Sequence, residues 1–389
     1  MTKKSKNKLD EYSDVFSGID KLNPDAETLD ASTLSVSDGT ISTGCYALNA
    51  IISGSLYGGV HVGRFTGFIG PSQCGKTYII NKCIANAQKD GYIGLIFDSE
   101  IAVDKKSAES VGCDPKKIKY YPVDTLEDCR NQICTFLDAV IKSNEENPNN
   151  KERNKFIISI DSLGNLSSAK ELKDIAENKE VSDMGSRSKV VKSLFKSITY
   201  KAAKARVPIL FSNHIYDDPT KLYPSIVKTQ NGGKGPVYLS SVLVQFNITT
   251  EKIADNPNEQ SIVIAHTVSG TTLGSLTIKN RFIPAFLKTE LYLNFKTGLD
   301  PYAGLFDLAV SFNVIKKIGK TYEFNGESLG FKKNIVKNAD IWEKVMPELE
   351  KVLQDKLKYG GEASSVIADI VGDVDDLEYD SDGEDDSDE

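Results

Sequence analysis

Residues 70–77 read Gly70-Pro71-Ser72-Gln73-Cys74-Gly75-Lys76-Thr77, which fits the spacing GxxxxGK[ST] of a phosphate-binding loop. The glycines let backbone N–H groups turn inward around phosphate oxygens, and a helix starting at the end of the loop adds its positive N-terminus. In that chemistry Lys76 reaches the β- and γ-phosphates and Thr77 binds Mg²⁺. A chance match would need no particular surroundings. Here the loop closes the apolar run RFTGFIG at 64–70 and precedes helical periodicity, the strand-to-helix context that the motif requires.

Three further strand ends carry suitable polar groups. The apolar run at 156–160 ends in Asp161-Ser162, and an acid at the carboxyl end of a parallel strand can hold the hydration shell of Mg²⁺. YIGLIF at 92–97 closes with Asp98-Ser99-Glu100, where Glu100 is placed to orient and activate an attacking water. His214 follows VPILFSN at 207–213 and is placed to sense a γ-phosphate from the neighbouring strand end. Each has a plainer alternative: Asp161 as a cap of the next segment, Glu100 as a surface carboxylate, His214 as a structural histidine.

The elements that must position these groups are legible as alternating patterns. Across 64–246, RFTGFIG, YIGLIF, KYYPV (119–123), FIISID (156–161), VPILFSN and VLVQFNI (242–248) are separated by helical periodicity. Short runs rich in Ile and Val fit strands buried on both faces, and their alternation with helices implies right-handed crossovers. The predicted fold class is therefore α/β, a P-loop ATPase core with a mainly parallel central sheet.

Thr125 is expected to cap a helix with the stripe Leu126, Cys129, Ile133, Phe136, Leu137, Val140 and Ile141, ending in a polar linker at 144–153. Residues 184–204 place Val190, Val191, Leu194, Phe195 and Ile198 on one helical face, with Arg187, Lys192 and Lys196 nearer solvent. Strands at 261–267, 273–279 and 287–295, joined by turn-length gaps, predict an antiparallel end to the sheet. Around a core at 41–300 the sequence predicts a polar arm and linker at 1–40 and a small C-terminal region at 301–360. Helical segments are expected there at 302–313 and 339–359, followed by an acidic tail at 361–389 predicted to be disordered.

Composition describes an ordinary globular chain: 389 residues, 40% hydrophobic and 26% charged, which excludes collagen-like and coiled-coil classes. The net charge of -8 would argue against a nucleic-acid partner if it were evenly spread. Residues 373–389 alone carry -11, however, leaving a body of +3. No run approaches the roughly twenty apolar residues of a membrane span, and residues 1–10 lack the hydrophobic region of a secretory signal, so a cytoplasmic protein without membrane partners is expected. Six cysteines show no zinc spacing or CxxC pair and are read as reduced, mostly buried thiols.

Taken in order and spacing, the motifs resemble the RecA-type recombinases, and among them the UvsX recombinases of T-even phages. The resemblance runs through ISTGCYALNAIISG (41–54), GPSQCGKT, IFDSEIAVD, ISIDSLGNL, VSDMGSRSKVVKSLF, LFSNHIY, NGGKGPVY and GLDPYAGLFDLAV. It implies a RecA-like fold in which Glu100 takes the place of the catalytic glutamate. His214 falls where the bacterial members use Gln to link the γ-phosphate to a DNA loop. Asp104 matches an acid near the adenine, whereas Ser107 stands where the family has an aromatic that stacks on the base. Lys279 and Arg281 align with two cations projected into the ATP site of the adjacent subunit.

The same resemblance implies two DNA-binding loops. The first lies near 170–189, with Arg187 and Lys189; the second spans 215–237, with Lys221, Lys228, the Gly232-Gly233 pair and Lys234. Lysines and backbone N–H groups bind phosphates without reading sequence, and a long polar loop inside a compact domain usually has a function.

The implied activity is that of a DNA-dependent ATPase, using ATP and Mg²⁺, that assembles helical filaments on single-stranded DNA. It would pair that strand with homologous duplex DNA and exchange strands in recombination, repair and recombination-dependent replication. A single-stranded-DNA-binding protein and a recombination mediator are the implied partners, and residues 1–40 would contact the next protomer. A ring-forming RecA-core helicase and a weakly hydrolysing regulatory paralogue remain the rival readings.

Overall fold

The computed structural model describes residues 8–32, 34, 39–147, 154–179, 185–216, 227–230, 233, 235–253 and 268–359. The chain divides into two compact units, one up to Asp38 and one from Gly39 onward. The first holds the helix α1, Ser13–Leu22, none of whose residues is buried. Its polar average composition concealed an apolar stripe of Val15, Phe16, Ile19 and Leu22, so the segment predicted as a polar arm and linker contains an amphipathic helix.

The second unit is built on a ten-stranded sheet. Its strands are β1 (Phe65–Gly70), β2 (Ile93–Asp98), β3 (Ile118–Pro122), β4 (Phe156–Asp161), β5 (Ile209–Tyr216), β6 (Thr229–Gln230), β7 (Val242–Ile253), β8 (Val268–Asn280), β9 (Lys288–Asn294) and β10 (Gly298–Leu299). They lie in the order β10-β9-β8-β7-β1-β5-β4-β2-β3, with β6 beside β5. Pairing is parallel from β7 through β1, β5, β4 and β2 to β3. It is antiparallel among β7, β8, β9 and β10, as the closely spaced strands led one to expect. The strand expected at 261–267 lies outside the described residues.

All six residues of β1 are buried, which follows from helices covering both faces. Alternation along the strand sends Phe68 to one apolar cluster and Phe65 and Ile69 to the other. On the first face lie α2 (Tyr46–Ser53) and α3 (Lys76–Lys89); α4 (Lys105–Val111) contributes Ala108 to the same cluster. On the second face lie α5 (Leu126–Glu146) and α7 (Ser186–Ala205), which bury the stripes seen in the sequence. The short α6 (Ala169–Ala176), capped by Ser168, precedes α7. Thr125 caps α5 as expected, its side chain accepting the N–H of Asp128 at 3.1 Å.

Beyond α8 (Gly235–Leu239) and the antiparallel strands, the chain forms α9 (Leu305–Ser311), α10 (Lys332–Val336) and α11 (Ala339–Lys356). Trp342, Val345, Leu349 and Leu353 of α11 belong to the same apolar cluster as Ile79 of α3. Between α9 and α10 lies an unanticipated antiparallel sheet, Lys316–Ile318, Thr321–Phe324 and Glu327–Gly330. Its second turn is Asn325-Gly326 with φ of 50° and 82°, the pairing that a two-residue hairpin demands.

All six cysteines are free and five are buried. Among the described residues no helix is long and apolar enough to cross a membrane. On the second face, Phe195 stands between Phe65 and Phe211 at centroid distances of 4.7 and 5.3 Å. Phe195→Ala should lower unfolding free energy by about 3–5 kcal/mol, whereas Lys196→Ala on the exposed face should change it by no more than about 0.5 kcal/mol. Urea denaturation of the two variants checks this.

Candidate active site

The phosphate-binding loop joins the end of β1 to the start of α3, as the motif requires. Gly75 sits at φ 77°, a left-handed conformation that glycine adopts without strain, and Gln73 is also left-handed at φ 62°. Gly70 has no room for a side chain, since a Cβ there would meet the Cys74 sulfur at 2.5 Å and the Phe246 carbonyl at 2.9 Å. Pro71 and Gly75 are half-buried, Ser72 and Gln73 exposed, and Cys74 fully buried. Lys76 folds back over the loop and donates to the carbonyls of Gly70 (3.1 Å) and Pro71 (2.7 Å). Reaching a phosphate would exchange those carbonyls for phosphate oxygens.

Register brings the other groups level with the loop. His214 on β5 pairs with Gly70, and Asp161 on β4 pairs with Asp98 on β2. Asp161 is buried and accepts hydrogen bonds from the hydroxyls of Ser212 and Thr77. Burial pushes its carboxyl above the ordinary range; the two hydroxyls oppose that shift, and repulsion from Glu100 and Asp98 adds to it. A hydroxyl and a carboxylate side by side form an oxygen donor set suited to Mg²⁺. No group of three or more His, Cys, Asp or Glu that could hold a metal occurs among the described residues. With two protein oxygens, from Thr77 and Asp161, a cation here would keep waters and phosphate oxygens as its remaining ligands.

Glu100 projects from the loop after β2. Its Oε1 accepts from Asn165 Nδ2 at 3.0 Å and lies 3.4 Å from His214 Nε2, with both the Glu100 and His214 side chains close to 30% accessible. Asp98 holds that loop in place. One carboxylate oxygen accepts the N–H groups of Glu100 (2.9 Å) and Ile101 (2.8 Å); the other accepts from Val103 N–H and the Tyr120 hydroxyl, each at 3.1 Å. Ser99 ties the loop to β4, donating to the Ser162 carbonyl and accepting its N–H. Asp104 is exposed and caps α4 in a reciprocal box with Ser107, the N–H of Ser107 holding its carboxyl below the usual range.

Lys279 and Arg281 lie at the opposite side of the sheet. Lys279 pairs with Leu243, itself the neighbour of Gly67, and Arg281 N donates to the Ser241 carbonyl near the beginning of β1. Lys279 Nζ donates to the carbonyls of Val237 and Tyr238 at the end of α8, and Arg281 shares the second of these. Burial, reinforced by the adjacent Arg281, pushes the Lys279 ammonium down to about 8. Arg64, just before β1, is a third cation of this group, also lowered by burial and by Arg281.

Of the residues singled out for DNA, Lys189 is exposed in the first turn of α7. Arg187 is half-buried rather than near solvent, because its guanidinium reaches inward to the carbonyl of Gly164. Gly233 lies against the same turn, where a Cβ would meet Ser188 Oγ at 2.7 Å. Lys228 donates its backbone N–H to Gln245 Oε1 at 3.0 Å. Lys221, Gly232 and Lys234 lie outside the described residues.

A family model described as the RecA N-terminal domain matches residues 26–300, most of the chain. The chain belongs to the RecA family. Its sheet and flanking helices are accordingly a RecA-like fold. It is 29% identical over 272 residues to the recombination and repair protein of Enterobacteria phage T4, covering 69% of this chain and 63% of that protein. It is 26% identical over 344 residues to RecA of Clostridioides difficile, covering 87% and 90% of the two chains. RecA of Chlorobaculum tepidum is 28% identical over 292 residues, 75% of each.

Sequence reasoning missed several residues of this RecA-family edge: Asp98 as the anchor of the Glu100 loop, Asn165 on Glu100, and Ser212 on Asp161. All three are polar residues at ends of apolar strands or in the SLGNL turn, a signal available in the sequence but without a named partner there. Hydrogen bonds to a charged group contribute about 1.5–3 kcal/mol each. Asp98→Ala should therefore speed amide hydrogen exchange at Glu100, Ile101 and Val103 by about tenfold or more, with the core strands still protected. Unchanged exchange at those three amides would show that the carboxylate does not hold the loop.

Proposed function

We propose that this protein is an ATP-dependent homologous recombinase, a DNA-dependent ATPase that polymerises on single-stranded DNA, pairs it with homologous duplex and exchanges strands. The reading rests on membership of the RecA family, and the printed name of the phage T4 relative, a recombination and repair protein, points the same way. The observation that carries it is the 3.4 Å approach of Glu100 to His214. It joins a carboxylate able to activate water to the strand that lies beside the phosphate loop and continues into the second candidate DNA loop.

Bound ATP with Mg²⁺ would supply the phosphoanhydride bond to be hydrolysed. Lys76 and the loop amides would neutralise phosphate charge, while Thr77 and Asp161 would hold the cation. Glu100, steadied by Asn165 and by the Asp98 anchor, would orient the attacking water and accept its proton. Lys279 and Arg281 cannot serve their own chain's phosphate loop from the far side of the sheet. They suit the loop of a neighbour in a head-to-tail assembly, offsetting charge that develops on the γ-phosphate. Lys189, Lys228 and the glycines around Gly233 would contact the DNA backbone, joined by Arg187 on release from the Gly164 carbonyl, leaving homology to be tested by base pairing.

A joint-molecule assay with ATP and homologous DNA, run beside Lys76→Ala, tests this reading. Strand exchange by the parent and its loss in the variant are expected. Duplex unwinding without joint molecules would indicate a helicase, and DNA-bound filaments without turnover a regulatory paralogue. For the cation pair, Lys279→Ala should be inactive alone and partly rescued in mixed filaments with Lys76→Ala; full activity of the single variant would refute the assignment. Lys279 is charged below pH about 8 and loses its proton above it, so turnover should fall as pH rises through that value. Lys279→Arg, which stays charged, should flatten the alkaline limb.

A further inference from the structure

A buried pair of carboxamides links the ATP edge to the base of the second loop. β5 carries Asn213, fully buried, immediately before His214. The returning segment forms β6, where Gln230 pairs with Ile215 and Thr229 with Tyr216 in an antiparallel ladder. Asn213 Oδ1 accepts the backbone N–H of His214 at 3.0 Å, and Asn213 Nδ2 donates to Gln230 Oε1 at 3.5 Å, the long limit of a hydrogen bond. Gln230 is only 3% exposed, yet its Nε2 has no hydrogen-bond partner among the described residues. On the other side of the segment, Gln245 of β7 accepts the N–H of Lys228.

A buried N–H without an acceptor is a rare and costly state, and a long hydrogen bond on the same side chain shows that the amide is poorly satisfied at both ends. A group left unsatisfied in this way is a reservoir of strain, which a second arrangement that pairs it better would release. We propose that Gln230 is a positioning residue that couples the state of the ATP edge to the second loop, changing partners as His214 moves. This rests on the reading of His214 as the γ-phosphate sensor and of the second loop as a DNA contact. Displacement of the His214 backbone shifts the Asn213 carboxamide that it holds. The stretched Asn213 to Gln230 contact then breaks first, and the two-residue β5–β6 ladder carries the change onward.

The test uses Gln230→Met, which keeps side-chain volume but removes both the donor and the acceptor, with Gln230→Asn as a variant that keeps the carboxamide and shortens its reach. Melting temperature, ATP turnover without DNA, the stimulation of turnover by single-stranded DNA, and the gain in DNA affinity on adding ATP are measured in the full chain. For Gln230→Met we expect unchanged melting and basal turnover, with DNA stimulation and the ATP-dependent gain in affinity each reduced by about fivefold or more; Gln230→Asn should fall between it and the parent. Parental stimulation in both variants would overturn the coupling role, as would a joint fall in melting, basal turnover and stimulation, which marks a merely structural residue. If the parent itself shows no stimulation by DNA, the reading of function fails and the coupling role falls with it.

Discussion

Parallel pairing sets Gly70 beside His214 and Asp161 beside Asp98, and the candidate site depends on that register. A slip of one residue in any of these strands would turn its side chains to the opposite face and send Asp161 away from Thr77. What prevents the slip is the burial of both faces. Phe68 and Phe65 point into separate apolar clusters, so neither set can be exchanged for the other without exposing aromatic surface. The hydrophobic alternation of β1 therefore also determines which side chains face the phosphate loop.

Level strand ends concentrate negative charge. Asp98, Glu100 and Asp161 interact closely enough that the first two disfavour ionisation of the third. Asp98 is accommodated by four hydrogen-bond donors, three of them backbone N–H groups, and Asp161 by two hydroxyls. Three of the cations named with the site, Arg64, Lys279 and Arg281, gather instead where β1 begins. This trio gives each protomer a cationic patch apart from the acidic strand ends, matched to the head-to-tail assembly proposed above.

What could be read from the sequence was what depends on short range. The phosphate loop, the apolar strands, the stripes of α5 and α7 and the antiparallel end of the sheet each show as a local pattern. Asn165 and Ser212 were not legible because their importance comes from partners 65 and 51 residues away. Arg187 looked solvent-facing by helical periodicity, but a carbonyl 23 residues earlier draws it inward. The helix α1 and the Asn325-Gly326 hairpin were different. Their signals were present, and an averaged composition and the expectation of helices obscured them.

Helix α11 shares its apolar cluster with the face of the sheet that carries α2 and α3. Trp342, the chain's single tryptophan, is 1% exposed within that cluster. The protein consequently contains an intrinsic fluorophore at the seam between α11 and its nucleotide-binding layer. Intrinsic emission should follow the docking of that helix and the solvent access of the seam, with no label attached.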